Sequence, residues 1–248
     1  IGRAGGNIRI IHPLRDGVIV DYEMAQIMIH YFVSKAIGTR RFVRPRVVVT
    51  MPGDVSKVER RAVINTMEKI GARQIFVVEQ AFAAALGTGL PVYEPQGSFI
   101  VDIGGGTTDV AVISFEGIVS GRSIKVAGDS FDEAIVAYMK KRYAVLIGPL
   151  EAENIKKNIA CLYHGIEQKS MEVHGTDLID GTYKEITVTS DELMESMMEA
   201  AVPILDCIHE VLENTPPELA GDIYSRGIIM TGNGSLIKGL DELIHRST

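Results

Sequence analysis

Phe99-Ile100-Val101-Asp102-Ile103-Gly104-Gly105-Gly106-Thr107-Thr108-Asp109-Val110-Ala111-Val112-Ile113-Ser114 is the stretch that decides how this chain folds. An apolar run delivers Asp102 near its end, three glycines follow, and a second apolar run leaves. No helical pattern intervenes, so the stretch predicts strand, glycine turn, strand: a hairpin. A turn alone needs one or two glycines and neither an entering Asp nor two threonines. Glycines let backbone N–H groups turn inward and approach oxygen atoms closely. Gly104, Gly105 and Gly106 supply that backbone, Thr107 and Thr108 add hydroxyls, and Asp102 can hold a hydrated Mg²⁺ facing the same phosphates. The loop is neither a Walker A motif nor GxGxxG, because it lacks the Gly-Lys-Ser/Thr ending and no helix follows directly.

Outward from this hairpin, strands and helices alternate. Residues 22–37 carry apolar side chains at i, i+3 and i+4, which predicts a helix ended by Gly38. Val47-Val48-Val49-Thr50, stopped by Pro52-Gly53, predicts a buried strand. Ser56 and Glu59 form a capping box for a helix over 57–70. Residues 75–78 predict another strand, and the Ala-rich 80–88 a helix. Helices are predicted over 129–144 and 151–160. Residues 170–188 alternate, with turn signals at His174-Gly175 and Asp180-Gly181, which predicts a small antiparallel sheet. A helix capped by Ser190 runs to 213, interrupted at Pro203, and Pro216-Pro217 breaks the chain. A strand over 227–231 then runs into a final helix over 236–245. Hairpins mixed with β-then-α units predict an α/β protein with two sheets rather than one simple Rossmann layer.

Four further segments qualify as site candidates. Gly232-Asn233-Gly234-Ser235 sits at a strand end and opens a helix, where backbone N–H groups suit a phosphate or a ring; it equally fits an ordinary left-handed turn. Glu79-Gln80 ends a strand and can orient water for attack, or Glu79 can simply be a carboxylate at a helix start. Gly128-Asp129 enters a helix. Glu153 and Lys156 lie one turn apart on a helix face, which is also the spacing of a surface ion pair.

Composition narrows the classes. At 248 residues and 46% hydrophobic, the chain is too apolar to be disordered. Cys161 and Cys207, without CxxC, exclude a disulfide scaffold and point to a reducing, cytosolic compartment. No run approaches the ~18–20 apolar residues of a membrane span, and none reads as a signal peptide. The net charge of −7 is uneven: residues 1–74 hold 13 Lys and Arg against 6 Asp and Glu, and the remainder 12 against 26. Arg40, Arg41, Arg44 and Arg46 form a basic cluster, either a solvated loop or a face for anionic lipid or an acidic partner. With Phe42 as the one nearby aromatic and an acidic chain overall, nucleic acid is not an expected partner.

Five stretches carry a family resemblance: HPLRDGVIVDYE (12–23), DIGGGTTD (102–109), VAGDSFDEAI (126–135), AENIKK (152–157) and TPPELAGDIYSRGIIMTGNGSLIKGLDEL (215–243). Together they resemble MreB, the bacterial actin that organises side-wall synthesis in rod-shaped cells, over nearly the whole chain. The resemblance implies an actin-like (ribonuclease H-like) two-domain fold with a nucleotide cleft. Residues 1–96 would form a partial domain I, and 97–248 domain II with a small subdomain at about 151–189. It implies ATP/ADP and Mg²⁺ as cofactors and slow ATP hydrolysis coupled to polymerisation. Its implied partners are further copies in a filament, the cell-wall elongation machinery and the inner face of the membrane, from a cytoplasmic location.

Residue by residue, 102–109 resembles the second phosphate loop, with Asp102 on the metal side. Gly128, Asp129, Glu153, Asn154, Ile155 and Lys156 fall where the family packs the nucleoside. Gly232, Asn233, Gly234 and Ser235 resemble the adenosine loop. Gln80 falls where actin carries its water-positioning glutamine, with Glu79 beside it and Thr108 in the reacting loop. Two departures stand out: Glu-Gln-Ala replaces the usual Glu-Glu-Pro at 79–81, and Asn233, which tolerates a left-handed backbone, replaces a glycine. The family's first phosphate hairpin and its closing helix and strand have no counterpart. That and an opening Ile1 imply a chain cut at both ends. Alternatives are a non-filament ATPase or metabolite kinase of the same fold, or an assembly fragment without catalysis.

Overall fold

The computed structural model describes residues 10–38, 44–166 and 168–248. A two-residue Asp16-Gly17 turn joins strands β1 (Leu14–Arg15) and β2 (Val18–Ile19), with both turn residues at positive φ as such a tight hairpin requires. Helix α1 (Tyr22–Ile37) follows, capped by Asp21 and closed by Gly38. Strand β3 (Arg46–Met51), helix α2 (Lys57–Lys69) and strand β4 (Gln74–Glu79) form a β-α-β unit, so β3 and β4 pair in parallel. Helix α3 (Gln80–Gly87) continues directly from β4.

The central sheet follows: β5 (Ser98–Ile103), β6 (Thr108–Ser114) and β7 (Gly117–Ile124), joined by tight turns and antiparallel. Then come α4 (Gly128–Tyr143), β8 (Val145–Leu146), α5 (Pro149–Ile159), β9 (Ser170–Asp177), β10 (Tyr183–Thr189) and α6 (Ser190–Glu213). The chain closes with α7 (Pro217–Arg226), β11 (Ile228–Thr231), a 3-10 turn at Asn233–Leu236 and α8 (Leu240–Ser247). Strand β11 returns to pair in parallel with β5, giving the order β11-β5-β6-β7.

The period-2 alternation of β5 explains how the site is built. Phe99, Val101 and Ile103, with Val110 and Val112, face one core together with Phe131 of α4 and Ile204 of α6. Ile100, Ala111 and Ile113 face the other way, onto Ala81 and Ala85 of α3. Asp102 and Asp109 have the parity of this second face and stand opposite each other in the ladder. Strand β5 is thus covered on both sides, and its polar residue emerges only at its end, beside the start of α3.

Several expectations change in detail. Among the described residues there are four sheets rather than two, because the 170–189 hairpin with β8, the β3-β4 pair and the β1-β2 pair are separate from the central sheet. His174-Gly175 is no turn: β9 runs straight through it. A Cβ on Gly175 would lie 2.4 Å from Val145 Cγ1, so the glycine admits β8. The cap of α6 is Thr189, paired with Glu192 in a capping box, whereas Ser190 is the first helical residue. The final helix starts at Leu240, after Gly239 in the left-handed region breaks it from the 3-10 turn. Arg40 and Arg41 lie outside the described residues; Arg44 and Arg46 are exposed.

Candidate functional site

The glycine loop between β5 and β6 is closed by Gly104 N–H donating to Thr107 O at 2.9 Å. Helix α4 docks on it end-on: Gly128 N–H donates to Gly104 O at 3.1 Å, and Asp129 N–H to Gly105 O at 2.8 Å. Thr108 is fully buried, and its hydroxyl donates to Val126 O at 2.7 Å. That bond commits Thr108 to holding the loop against the start of α4, not to a reacting group.

The second glycine segment reaches the same place. Gly232 has φ +82°, and a Cβ there would stand 2.2 Å from Ile103 O and 2.7 Å from Asp102 Oδ1. A Cβ on Gly234 would meet Ile103 Cγ2 at 2.4 Å and Gly104 O at 3.0 Å. Backbone therefore packs on backbone, which only glycine permits. Ser235 closes the turn, its hydroxyl donating to Gly232 O at 2.7 Å. The left-handed residue is Gly232, while Asn233 begins the 3-10 turn. Asn233 therefore needs no special backbone tolerance, which explains why a side chain is accepted there.

Glu79 and Gln80 separate. Gln80 Nε2 donates to Asp102 Oδ2 at 3.2 Å, across the β5 end. Glu79 turns the other way, and a Cβ on Gly53 would be 3.5 Å from its Oε2. It lines a small polar cavity of about 130 Å³ with Gly53, Asp54, Asp109 and Arg122. Burial pushes the Asp102 carboxyl up, opposed by the Gln80 bond.

The nucleoside-side residues divide as well. Lys156 Nζ donates to Gly128 O and to Asp132 Oδ2, both at 2.7 Å, tying α5 to the first turns of α4. The sequence suggested Glu153 as its neighbour, but Glu153 pairs with Lys157 at 2.6 Å on the outer face. Asn154 bonds to Asn158 one turn on, and Ile155 is fully buried in the main core, so its side chain serves packing.

Three contributors escaped the sequence reading. Asp132, whose carboxyl is pushed up by burial and held down by Lys156, has no periodic signal separating it from any helix carboxylate. Asp109 closes the quoted motif and is buried. Its Oδ1 accepts Gly53 N–H at 3.3 Å, its Oδ2 has no partner, and burial raises its carboxyl. The Asp16-Gly17 turn packs against the loop: a Cβ on Gly106 would meet Asp16 Cα at 3.0 Å, and one on Gly17 would meet Thr107 Cγ2 at 3.2 Å. Here the Asp-Gly dipeptide followed by the β-branched run Val18-Ile19-Val20 was the available signal. Beside this junction opens a cavity of about 970 Å³, lined by Arg15, Gly106, Asp129, Asp132, Val136 and Ile147 among others.

A mixed sheet whose glycine hairpin, returning parallel strand and following helix start meet at one cleft is the actin-like fold. The model of the MreB/Mbl protein family matches residues 1–248. Over 250 residues the chain is 44% identical to the cell shape-determining protein MreB of Escherichia coli K12, covering all of this chain and 72% of that protein. It is 41% identical to the cell shape-determining protein Mbl of Bacillus subtilis 168, covering 98% of this chain and 73% of Mbl. The crystal structure of MreB5 of Spiroplasma citri bound to AMPPNP superposes with a TM-score of 0.93 at 41% identity, covering 99% of this chain and 74% of that one. The same protein bound to ADP matches equally. The MamK double helical filament, at 23% identity, 95% and 71% coverage and TM-score 0.79, agrees in fold. The chain belongs to the MreB/Mbl family.

Proposed function

We propose that the chain is the greater part of an ATP-binding, slowly ATP-hydrolysing actin-like protein whose filaments direct cell-wall synthesis and rod shape. The observation that carries this is convergence: the 104–108 loop, the start of α4, Gly232–Gly234 and the Lys156–Gly128 contact pack together at the end of β5, beside the cavity that Gly106 and Asp129 line. One relative, MreB5 of Spiroplasma citri, crystallised with AMPPNP and with ADP, supports a nucleotide as the occupant. Under this reading residues 1–96 and 97–248 are the two walls of the cleft, with 151–189 as a subdomain of the second.

Gly105, Gly106 and Thr107 would hold the phosphates through backbone N–H groups and the Thr107 hydroxyl, with Gly104 closing the loop through its own N–H. Gly128, Asp129 and Lys156 would frame the nucleoside on one side and Gly232 to Ser235 on the other. Asp102 fits a hydrated Mg²⁺, which typically takes one or two carboxylates plus phosphate oxygens, and such an ion would neutralise phosphate charge.

Gln80 is favoured over Glu79 for orienting water, because its amide N–H₂ is anchored on Asp102 and its carbonyl oxygen is left to accept from a water. An amide cannot take the proton, so rate enhancement rests on positioning and charge stabilisation. Exposed Arg44 and Arg46 support contact with an anionic membrane surface, and no helix among the described residues is long and apolar enough to cross one.

Titrating Mg-ATP into the 248-residue chain and its Asp102→Ala variant tests the site. Binding by the parent, with metal-dependent turnover lost in the variant, is expected. A parent that binds no nucleotide, or a variant with unchanged turnover, refutes the assignment.

A further inference from the structure

Three neighbouring residues of the central sheet each receive a separate contact from the first wall of the cleft. Asp102 of β5, Asp109 of β6 and Ser123 of β7 stand side by side across the ladder, Asp109 opposite Asp102 on one side and opposite Ser123 on the other. Asp102 Oδ2 accepts from Gln80 Nε2 at 3.2 Å. Asp109 Oδ1 accepts from Gly53 N–H at 3.3 Å. Ser123 N–H donates to Asp54 Oδ2 at 3.2 Å, and Arg122 Nε lies 3.8 Å from the same oxygen. One transverse row of the sheet thus carries a seam between the two walls.

The three contacts differ in stiffness. Gln80–Asp102 joins two side chains, and Ser123–Asp54 is open to solvent. Asp109 is 2% exposed, and its partner is backbone. Its Oδ2 has no partner among the described residues, beside the cavity of about 130 Å³ that Asp109 lines with Glu79. An unpaired buried carboxylate oxygen destabilises a fold. An apolar side chain would avoid that penalty but would leave Gly53 N–H without this acceptor.

The Gly53 bond reaches Gln80 through the backbone. Strands β3 and β4 pair in parallel up to Met51 opposite Glu79. Gly53 lies two residues beyond that last pair on one strand, and Gln80 one residue beyond it on the other, where α3 begins. Holding Gly53 therefore fixes the strand ends from which Gln80 projects.

We propose that Asp109 is a positioning residue for hydrolysis: by holding Gly53 it sets the β3-β4 end against the phosphate loop, and so sets where Gln80 holds its water. It acts through Gln80 rather than on the nucleotide. This rests on the hydrolysis reading above and adds a residue to it.

The test uses the full-length protein. Steady-state ATP turnover, Mg-ATP affinity and hydrogen exchange of the peptide carrying Gly53 are measured on the parent and three variants. Asp109→Ala removes the acceptor. Its kcat is expected to fall about tenfold to a hundredfold while the Mg-ATP Kd stays within about threefold of the parent, the pattern of a displaced positioning group. Its Gly53 peptide is expected to exchange about tenfold faster with Mg-AMPPNP bound. Asp109→Asn keeps an oxygen for Gly53 N–H and is expected to return turnover and exchange to within about threefold of the parent. Asp54→Ala lies at the solvent-open end of the seam, its side chain 57% exposed, and is expected to lower kcat about threefold with Kd unchanged. Asp109→Ala with parental turnover, or with turnover and affinity lost together, overturns the proposal. So does Asp109→Asn as slow as the alanine variant, which assigns the effect to charge rather than to the Gly53 bond. If the alanine variant does not fold, Asp54→Ala decides: a lowered kcat supports the seam and a parental one overturns it. A parent that binds Mg-ATP without turning it over defeats the hydrolysis reading and this proposal with it, whereas an active parent beside an unaffected Asp109→Ala defeats the proposal alone.

Discussion

Replacing Lys156 with Met probes the junction of α4 and α5 most directly. The ammonium serves Gly128 O and Asp132 Oδ2 at 2.7 Å each, with the Lys156 and Asp132 side chains 12% and 16% exposed. Without it Asp132 keeps a largely desolvated charge, and its Oδ1 is already buried without a partner. Removing one member of a fully buried pair costs about 3–5 kcal/mol, and the residual solvent access here lowers that to about 2–3 kcal/mol. The pH dependence has a definite sign. Burial raises the Asp132 carboxyl above its ordinary value, and Lys156 opposes that rise, so Lys156→Met raises it further. A carboxyl raised in the folded state weakens folding above its unfolded pKa, and that loss disappears once the group is protonated in both states. The deficit of Lys156→Met should therefore be largest near neutral pH and shrink as pH falls toward about 4. Asp132→Asn in the same chain removes the orphaned charge and should recover about 2 kcal/mol. Urea unfolding of the parent, Lys156→Met and the double variant at pH about 7.5 and about 5 measures all of this. A loss under about 0.5 kcal/mol, an equal loss at both pH values, or no recovery in the double variant would refute the argument.

Gly232→Ala should cost about 3 kcal/mol or more in thermal unfolding, because its Cβ would enter Ile103 O at 2.2 Å, and should abolish nucleotide binding. Gly38→Ala, also at positive φ but with nothing within 4 Å, should lose about 1–3 kcal/mol from backbone strain alone and keep nucleotide binding. Thr189→Ala removes the reciprocal cap with Glu192 and should destabilise by about 1 kcal/mol in the same measurement. Cys207, 3% exposed and with its thiol pushed up to about 12 chiefly by burial, should resist alkylation at pH about 8 until the protein unfolds, as followed by mass spectrometry.

The legible features were those written in local chemistry. The 99–114 hairpin follows from its apolar runs and glycines, and the α2 cap from Ser56 and Glu59 three residues apart. Local pattern misled where a residue's reason lay elsewhere in the chain. Gly175 looked like a turn residue because glycine is common in turns, yet it makes room for Val145, thirty positions away. Lys156 was read against its helix neighbour Glu153, because spacing reveals only same-helix pairs; its partner Asp132 lies on α4. Which of Glu79 and Gln80 faces Asp102 was likewise invisible, since it depends on how α3 leaves β4. The residues assigned to the nucleoside by resemblance divided by helix face: Lys156 inward, Ile155 into the core and Glu153 outward.

The parallel pairing of β11 with β5 has a consequence for synthesis. Strand β5 is buried along almost its whole length, and one of its edges waits for a strand roughly 130 residues further along. At ribosomal speeds of about 5–20 residues per second, that edge stays bare for on the order of ten seconds. The adenosine-side glycines sit just beyond β11, so no nascent chain can complete the cleft before nearly all of these 248 residues have emerged. A bare, hydrophobic strand edge is a template for wrong pairing. For this protein the hazardous interval of folding is therefore set by topology, and an early-binding chaperone would protect the Ser98–Ile103 edge first.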